Sequence, residues 1–545
     1  MHRSLQISEI IRNIFFLTDD DKEGRRTLAR CCLTCRFFYG PSADALWYHI
    51  PDFAPLLKCL PAEFWFEGAT SGDHDEEFSR SIGSISKVLY LRRVPEAAVH
   101  WERTEQHARR VRIMESLQPE FKETVDISAL QALAFRCRSH HFPDPPSTPF
   151  LPNLRILSWP YFQNEAVAFA LIPMIAGPEL RKFHSYALYN RPDNSYLAQI
   201  LQVISEFPDK FPALESIQMP STYTVAWNTM GEIFSTGLQK LHRLRRINLP
   251  SVNLTREAMQ HLAALPDIEQ LEVAGVQMFD NFIPPGPSIP FFPSLRILRL
   301  IEVPDLVACT MFIKSLSQPL LESVDFSGDF NTFTTAALVD HAKALGPHKS
   351  MKKISVYANY RQIPDVPPNS PALDISFVQP LLYLPDLHTV DVSAPVEIDL
   401  RDSDILQMAK SWSKIERLII RSVGRCRRIP SATFDSFLYV AHHCLSLRRF
   451  QLHLEPNITE EAVTEAALRK SQSAVEWISM KYQSAIPPHE TDRLGKLLLD
   501  LFPKLRFVRA LPTFHMDADV VPITETWSNF CTLLRTKIRD RDNTD

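Results

Sequence analysis

Glycine is scarce in this sequence: 14 residues among 545, against 42 prolines. That balance excludes an architecture built on glycine turns or a glycine-rich phosphate loop, and it suits many stiff connections between short elements. Cysteine is present in an odd number, nine, without framework spacing; Cys31, Cys32 and Cys35 cluster and the others are scattered. This excludes a disulfide scaffold and fits free thiols in a reducing compartment. Neither charge sign dominates, with 59 basic against 63 acidic side chains and a net charge of -4. Nothing global therefore points to a nucleic-acid or membrane-surface binder. No apolar run approaches the ~20 residues of a membrane span. The first residues, with Arg3, Glu9, Arg12 and the acidic run Asp19 to Asp21, contain no apolar h-region, so no signal peptide is expected. A soluble cytoplasmic or nuclear protein is the expectation.

Chemistry-bearing motifs are also missing. There is no nucleotide loop, nucleophile elbow or paired-histidine zinc motif, so an enzyme is not expected. Cys31, Cys32 and Cys35 have no closely following His or Cys pair. A zinc site needs four ligands, and cysteines on one helix more often serve as small core hydrophobes. No metal or other cofactor is expected. His442-His443-Cys444 has no partner motif, and the basic cluster Arg425 to Arg428 is too short to argue for nucleic acid.

What the chain does have is a repeat. Hydrophobic residues make up 45% of it, enough to fold, but its length exceeds the roughly 250–300 residues at which a single core stops growing. One phrase returns: apolar, two others, apolar, one other, apolar. Clear copies are Leu154-Arg-Ile-Leu157-Ser-Trp159, Leu244-Arg-Arg-Ile247-Asn-Leu249, Ile268-Glu-Gln-Leu271-Glu-Val273 and Leu295-Arg-Ile-Leu298-Arg-Leu300. Leu387-His-Thr-Val390-Asp-Val392, Ile415-Glu-Arg-Leu418-Ile-Ile420 and Leu447-Arg-Arg-Phe450-Gln-Leu452 continue the series. Weaker copies start at Leu130, Leu180, Leu214, Leu321, Met351, Val475 and Leu505, and a further one lies near Ser86.

First positions fall roughly 24 to 36 residues apart. Between them lie helical stretches that open at or after a threonine, a good N-cap, as at Thr255, Thr335 and Thr459. One strand–helix coil cannot bury its own apolar face, but a stack of about fourteen can. The pattern resembles the leucine-rich-repeat family over most of the chain. That resemblance implies an irregular α/β solenoid with parallel strands on a concave face and helices on the convex one. The coils depart from the family consensus in their variable length and in mostly missing the Asn or Cys after the strand. The alternative is a generic α/β domain of alternating strands and helices. Loop-like or disordered stretches are expected at Gly68–Glu77, Phe142–Pro149, Pro284–Pro293 and Gln362–Pro371, the last three Pro-rich, and a capping helix around Thr524–Ile538.

Residues 1–65 do not follow the repeat. Ser8 is placed to cap a short helix with Ile10, Ile11, Ile14 and Phe15 on its apolar side. A second helix is predicted over Arg25–Phe38 and a third over Ser42–Tyr48, after a break at Gly40-Pro41. The order Leu5-Gln-Ile7-Ser8-Glu9-Ile10, then Cys31-Cys32-Leu-Thr-Cys35, then Ala45-Leu46-Trp47 resembles an F-box of the fungal style over residues 5–50. Ser8 stands where that family usually has proline. Pro51 to Pro61 looks like the linker helix that joins F-boxes to their repeats.

The resemblance implies a non-catalytic substrate-recognition adaptor of a Skp–cullin–F-box ubiquitin ligase. Its module would bind the Skp-type adaptor, and through it the cullin–RING ligase, and its repeats would bind a protein substrate. It places Leu5, Ile7, Ile10, Ile11, Ile14, Leu28, Cys32, Phe37 and Trp47 on the adaptor face. The alternative is a leucine-rich-repeat scaffold with no ubiquitination role. The organisation expected is a module at 1–65, a solenoid at 66–512 and a cap and tail at 513–545. Strand side chains alternate, so residues between the inward positions should line the concave face. In the last coils these include Arg417, Arg421, Arg449, His453, Trp477, Lys481, Phe507 and Arg509, a mix of cations and rings expected to hold an acidic or phosphorylated substrate segment.

Overall fold

A computed structural model of the chain describes residues 8–18, 22–69, 87–115, 125–135, 148–159, 165–185, 203, 205–219, 231–250, 252, 254–274, 290–303, 305–329, 333–359, 366, 370–424, 428–461, 463–464, 471–482, 484–487, 490–512 and 521–542. Leu5, Ile7, most of the four loop-like stretches, most of the Thr459 helical stretch and residues 425–427 of the basic cluster lie outside these; Gly68 and Ala69, expected in a loop, end a strand instead. The chain forms two compact units, Met1–Leu265 and Pro266–Asp545.

The first unit opens with three helices, α1 (Ser8–Phe16), α2 (Lys22–Thr34) and α3 (Arg36–Leu46). The break falls at Cys35, the extended N-cap of α3, and Pro41 sits inside α3. Gly40-Pro41 therefore does not end a helix as the sequence predicts. Pro41 is the sixth residue of α3, an interior position where its missing N–H removes a helical bond and its ring crowds the preceding turn; beside it the Ser42 hydroxyl donates to the Phe38 carbonyl at 2.5 Å.

Strands then alternate with short helices: β1 (His49–Ile50), α4 (Ala54–Leu57), β2 (Trp65–Ala69), β3 (Lys87–Leu91), α5 (Glu102–Ala108), β4 (Ile113–Met114), α6 (Ile127–Phe135) and β5 (Ile156–Trp159). After these come α7 (Glu165–Ala170), α8 (Ile172–Ile175), β6 (Lys182–Ser185), α9 (Phe207–Lys210), β7 (Ser216–Gln218), α10 (Gly231–Leu238), β8 (Arg246–Leu249) and α11 (Arg256–Ala264). β1 pairs in parallel with β4, and β4 to β8 follow one another in parallel. β2 and β3 form a separate antiparallel ribbon. The copy starting at Leu130 is helical, because Leu130 and Leu133, three apart in an alanine-rich segment, satisfy helical spacing equally well. The copy near Ser86 is β3, a strand of the ribbon rather than of the parallel series.

In the second unit β9 (Gln270–Ala274), β10 (Ile297–Val303), α12 (Leu306–Ser315), β11 (Ser323–Asp329), α13 (Thr335–Leu345), β12 (Lys353–Asn359), α14 (Ile375–Val378) and β13 (Thr389–Ala394) continue the alternation. α15 (Asp402–Ser411), β14 (Arg417–Ser422), α16 (Asp435–His443), β15 (Arg449–His453), β16 (Trp477–Tyr482), α17 (Thr491–Leu501), β17 (Phe507–Pro512) and α18 (Val521–Asp542) complete it. β9 to β17 are parallel and in chain order. This is an α/β, leucine-rich, solenoid-like arrangement preceded by a small all-α module.

Register explains why it holds. Leu271, Leu298, Val324, Ile354, Val390, Leu418, Phe450, Ile478 and Val508 stand side by side on consecutive strands, each no more than 1% exposed. Each such burial contributes roughly 1.5–3 kcal/mol. Helix starts are fixed by short polar side chains: Thr255 accepts from the Ala258 N–H at 3.3 Å, Thr334 from Ala337 at 3.2 Å and Asp305 from Val307 at 2.8 Å. Neighbouring coils are also stapled. Asp402 accepts from the Thr433 N–H and hydroxyl, both at 2.9 Å, and Asp435 does the same for Thr459 at 3.0 and 2.9 Å. At the end α18 packs on β17 and α17, burying Trp527, Phe530 and Leu534 completely.

Two buried histidines join coils and are neutral. His341 lies against the Thr310 hydroxyl at 3.0 Å, that hydroxyl donates onward to Leu306, and the other ring nitrogen has no partner. His348 accepts from the Leu321 N–H at 3.2 Å. Burial pulls His341 down to about 3 and His348 to about 4. In the unfolded chain both take a proton near pH ~6.5. Their contribution is whole above that value and is lost as the pH falls toward their folded values. Stability to urea should therefore drop between pH 7.5 and 5, before unfolded carboxylates titrate. A flat profile over that window contradicts the assignment of neutral imidazoles.

Candidate partner-docking surfaces

The N-terminal module shows how three short helices divide their apolar residues. On α1, Ile11 is 2% exposed, the Phe15 ring meets Phe38 edge-on at 5.7 Å and Phe16 meets Tyr48 at 4.9 Å. Leu28 of α2 is fully buried. The Arg25 guanidinium donates to the His49 and Leu46 carbonyls at 2.9 and 3.1 Å, tying α2 to the end of α3 and to β1. Arg110 donates to Asp44 at 2.9 Å, tying α3 to the segment after α5.

With that core satisfied, the opposite side of α1 remains in solvent. Ile10, Ile14 and Leu17, spaced one and two turns apart, are 38%, 43% and 78% exposed. Leu33 of α2 is 87% exposed, and Phe37 and Tyr39 of α3 are also exposed. Isolated exposed apolar residues are ordinary; six on or beside three short helices make this the module's candidate docking face.

The residues named from sequence for this face thus separate. Ile10, Ile14 and Phe37 lie at the surface. Ile11 and Leu28 belong to the module's core, because a helix in a three-helix cluster must turn one side inward. They shape the face from beneath. Cys32 is half-buried, its sulfur 3.1 Å from the Ser42 hydroxyl oxygen. Trp47 is half-buried and stacks on His107 at 4.2 Å and 15°. Burial together with Arg110 and Arg103 brings that imidazole down to about 4. The exposure of Leu17, Leu33 and Tyr39 was missed by the sequence reading; helical spacing from Ile10 and Ile14 could have flagged Leu17.

The second surface is the outward side of β13 to β17. Residues on these strands fall into rows. One runs Thr389, Arg417, Arg449, Trp477, Phe507, and the next runs Asp391, Ile419, Gln451, Ser479, Arg509. Cations on the earlier strands carry their own anions: Arg299 pairs with Glu272 at 3.2 Å, Lys353 with Asp325 at 3.0 Å and Arg417 with buried Asp391 at 2.5 Å. Arg421 donates to the Ser393 hydroxyl at 2.7 Å, and Lys481 donates to the Ser422 carbonyl.

His453 does not line an open face. It is 4% exposed and accepts from the Ser422 N–H at 3.1 Å, and burial holds it well below the usual imidazole range. Arg449 and Arg509 are exposed, and the Trp477 and Phe507 rings lie parallel at 6.0 Å. Phe507 is 41% exposed, with the Arg535 guanidinium of α18 6.0 Å from its ring. Among the described residues no group of His, Cys, Asp and Glu could hold a metal ion, and no helix is long and apolar enough to cross a membrane.

No known protein-family profile and no curated protein matches the sequence. Solved structures similar to it include the Rad7 and Elc1 complex in yeast, 9% identical over 71% of this chain and 73% of that one, with a TM-score of 0.31. A Bacteroides fragilis protein is 10% identical over 61% and 65%, at a TM-score of 0.20. The plant peptide hormone receptor RGFR1 in complex with RGF2 is 12% identical over 67% and 57%, at 0.26. The architecture rests on the strand pairing itself.

The division between core and surface is measurable. Leu28→Ala should lower the local unfolding free energy of the module by ~2–5 kcal/mol. Leu33→Ser should change it by no more than about 0.5 kcal/mol. Native-state hydrogen exchange of α2 and α3 reads both, and equal effects would contradict the partition.

Proposed function

We propose that this chain is a non-catalytic substrate-recognition adaptor of a Skp–cullin–F-box ubiquitin ligase. In this reading the N-terminal module docks a Skp-type adaptor protein and the repeats hold a protein substrate. The conjugating enzyme and RING partner perform the chemistry. The observation that carries the reading is the module's surface: three helices, in the segment whose motif order resembles an F-box, keep Ile10, Ile14, Leu17, Leu33 and Phe37 in solvent. A module this small gains by laying such a face on a partner. The repeats fit the second role because their inward rows are satisfied by stacking, which frees the outward rows for contact.

Deleting residues 1–50 is a poor test, since β1 and its pairing with β4 would go with them. Point changes at the surface leave the core whole. The full chain should co-purify with a Skp-type adaptor, and Ile14→Asp with Leu33→Asp should weaken capture more than about tenfold, as loss of central apolar contacts does. Ile429→Asp, at an exposed apolar residue of the second unit, should leave capture unchanged. Absence of capture by the unaltered chain would leave a repeat scaffold without a ubiquitination role.

A further inference from the structure

Charge pairing along the outward side of the second unit changes at β15. On β9 to β14 a cation and a carboxylate stand on neighbouring strands: Arg299 with Glu272, Lys353 with Asp325, Arg417 with Asp391. From β15 onward the cations continue and the carboxylates stop. The corresponding positions are Arg449, Gln451 and His453, then Trp477, Ser479 and Lys481, then Phe507 and Arg509. Arg449 also stands beside Arg417 in register, so the Arg417–Asp391 pair does not serve it. Neither Arg449 nor Arg509 has an ion-pair partner among the described residues.

Between these two arginines lie the parallel rings of Trp477 and Phe507. Phe507 is held from α18 by Arg535, whose guanidinium also donates to the Val508 carbonyl at 3.2 Å. In the adjoining row the Gln451 amide nitrogen and the Ser479 hydroxyl, each on a residue 1% exposed, have no hydrogen-bond partner. Uncompensated exposed arginines, a ring pair of half-buried Trp477 and exposed Phe507 on a rigid base, and buried polar groups without partners form at one place the composition of an interface centre.

We propose that the outward side of β15 to β17 binds an extended acidic segment of a partner protein, its carboxylates on Arg449 and Arg509 and an apolar side chain on the Trp477–Phe507 pair. This rests on the reading of the repeats as the substrate-holding part. The segment supplies the anions that the sheet itself provides on β9 to β14. Arg417 and His453 take no direct part, the first being spent on Asp391 and the second buried. Phosphoserine offers the same anionic chemistry as glutamate, so the test separates the two sources.

The experiment is fluorescence anisotropy with the full-length chain. The probes are labelled peptides with one central leucine and flanks of glutamate, phosphoserine, serine or lysine. The glutamate or phosphoserine peptide should bind at least about tenfold more tightly than the serine peptide, with the advantage shrinking as salt rises. The glutamate peptide should bind at least as tightly as the phosphoserine peptide; a phosphoserine peptide bound tightly while the glutamate peptide binds no better than the serine one overturns the carboxylate assignment. Arg449→Gln with Arg509→Gln should abolish that advantage, and Phe507→Ala should weaken all four peptides. Arg296→Gln, at an exposed arginine already paired with Glu322, should change nothing.

Equal binding of all four peptides, absence of binding, or an acidic advantage retained by the double variant overturns the proposal. Tighter binding of a single-stranded oligonucleotide than of any peptide also overturns it. Capture of a Skp-type adaptor by the same preparation is scored separately. Adaptor capture without peptide binding removes only this site, and peptide binding without adaptor capture removes only the ligase reading.

Discussion

Everything in the repeat region depends on one constraint: a coil made of one strand and one helix has an apolar side that only the next coil can cover. The row from Leu271 to Val508 is the result, with each member no more than 1% exposed because neighbouring elements cover it. The same constraint explains what happens at the end of the chain. β17 has no following strand among the described residues, and the side it would leave bare is covered by α18 through Trp527, Phe530 and Leu534. The polar staples between coils, such as Asp402 to Thr433 and Asp435 to Thr459, set spacing on a stack that burial already drives together.

Once the inward rows are used for stability, the outward rows are free to differ. Along β9 to β14 they pair charges between strands, which leaves little net attraction for a charged partner. Along β15 to β17 they present arginine and rings. The N-terminal module shows the same division at smaller scale. Ile11, Phe15 and Leu28 face inward, and Ile10, Ile14, Leu17 and Leu33 face water. In both places function is assigned to side chains that folding does not consume.

Much of the fold was legible in the sequence. The copies at Leu154, Leu244, Ile268, Leu295, Leu387, Ile415 and Leu447 each become a parallel strand beginning about two residues later, because three inward apolar positions at fixed spacing leave few alternatives. Most weaker copies follow them. Leu130 does not, since a three-residue apolar spacing suits a helix as well. β1 and β4, at two residues each, are too short to carry a pattern. Pro41 sits inside α3, next to the buried Ser42, Ala43 and Ala45, where local propensity, with its cost of ~3 kcal/mol for an interior proline, predicts a break.

The sites were less legible, because alternation says which way a strand residue points but not whether it is already engaged. Arg417 and Arg449 read alike in sequence, and only the position of Asp391 separates them. His453 alternates outward and is nonetheless buried. On the module, helical spacing groups Ile10 with Ile11 and Ile14, and only the packing of α3 shows that Ile11 turns inward.

The central claim is that the solvent-exposed apolar side of the N-terminal helices is where a partner sits. It is tested most directly by placing a photo-reactive residue in turn at Ile14, Leu33 and Ile429 of the full chain and irradiating it with a Skp-type adaptor. The account predicts cross-linked adaptor from positions 14 and 33 and none from 429. Cross-linking from 429 alone, or from none of the three, would contradict it.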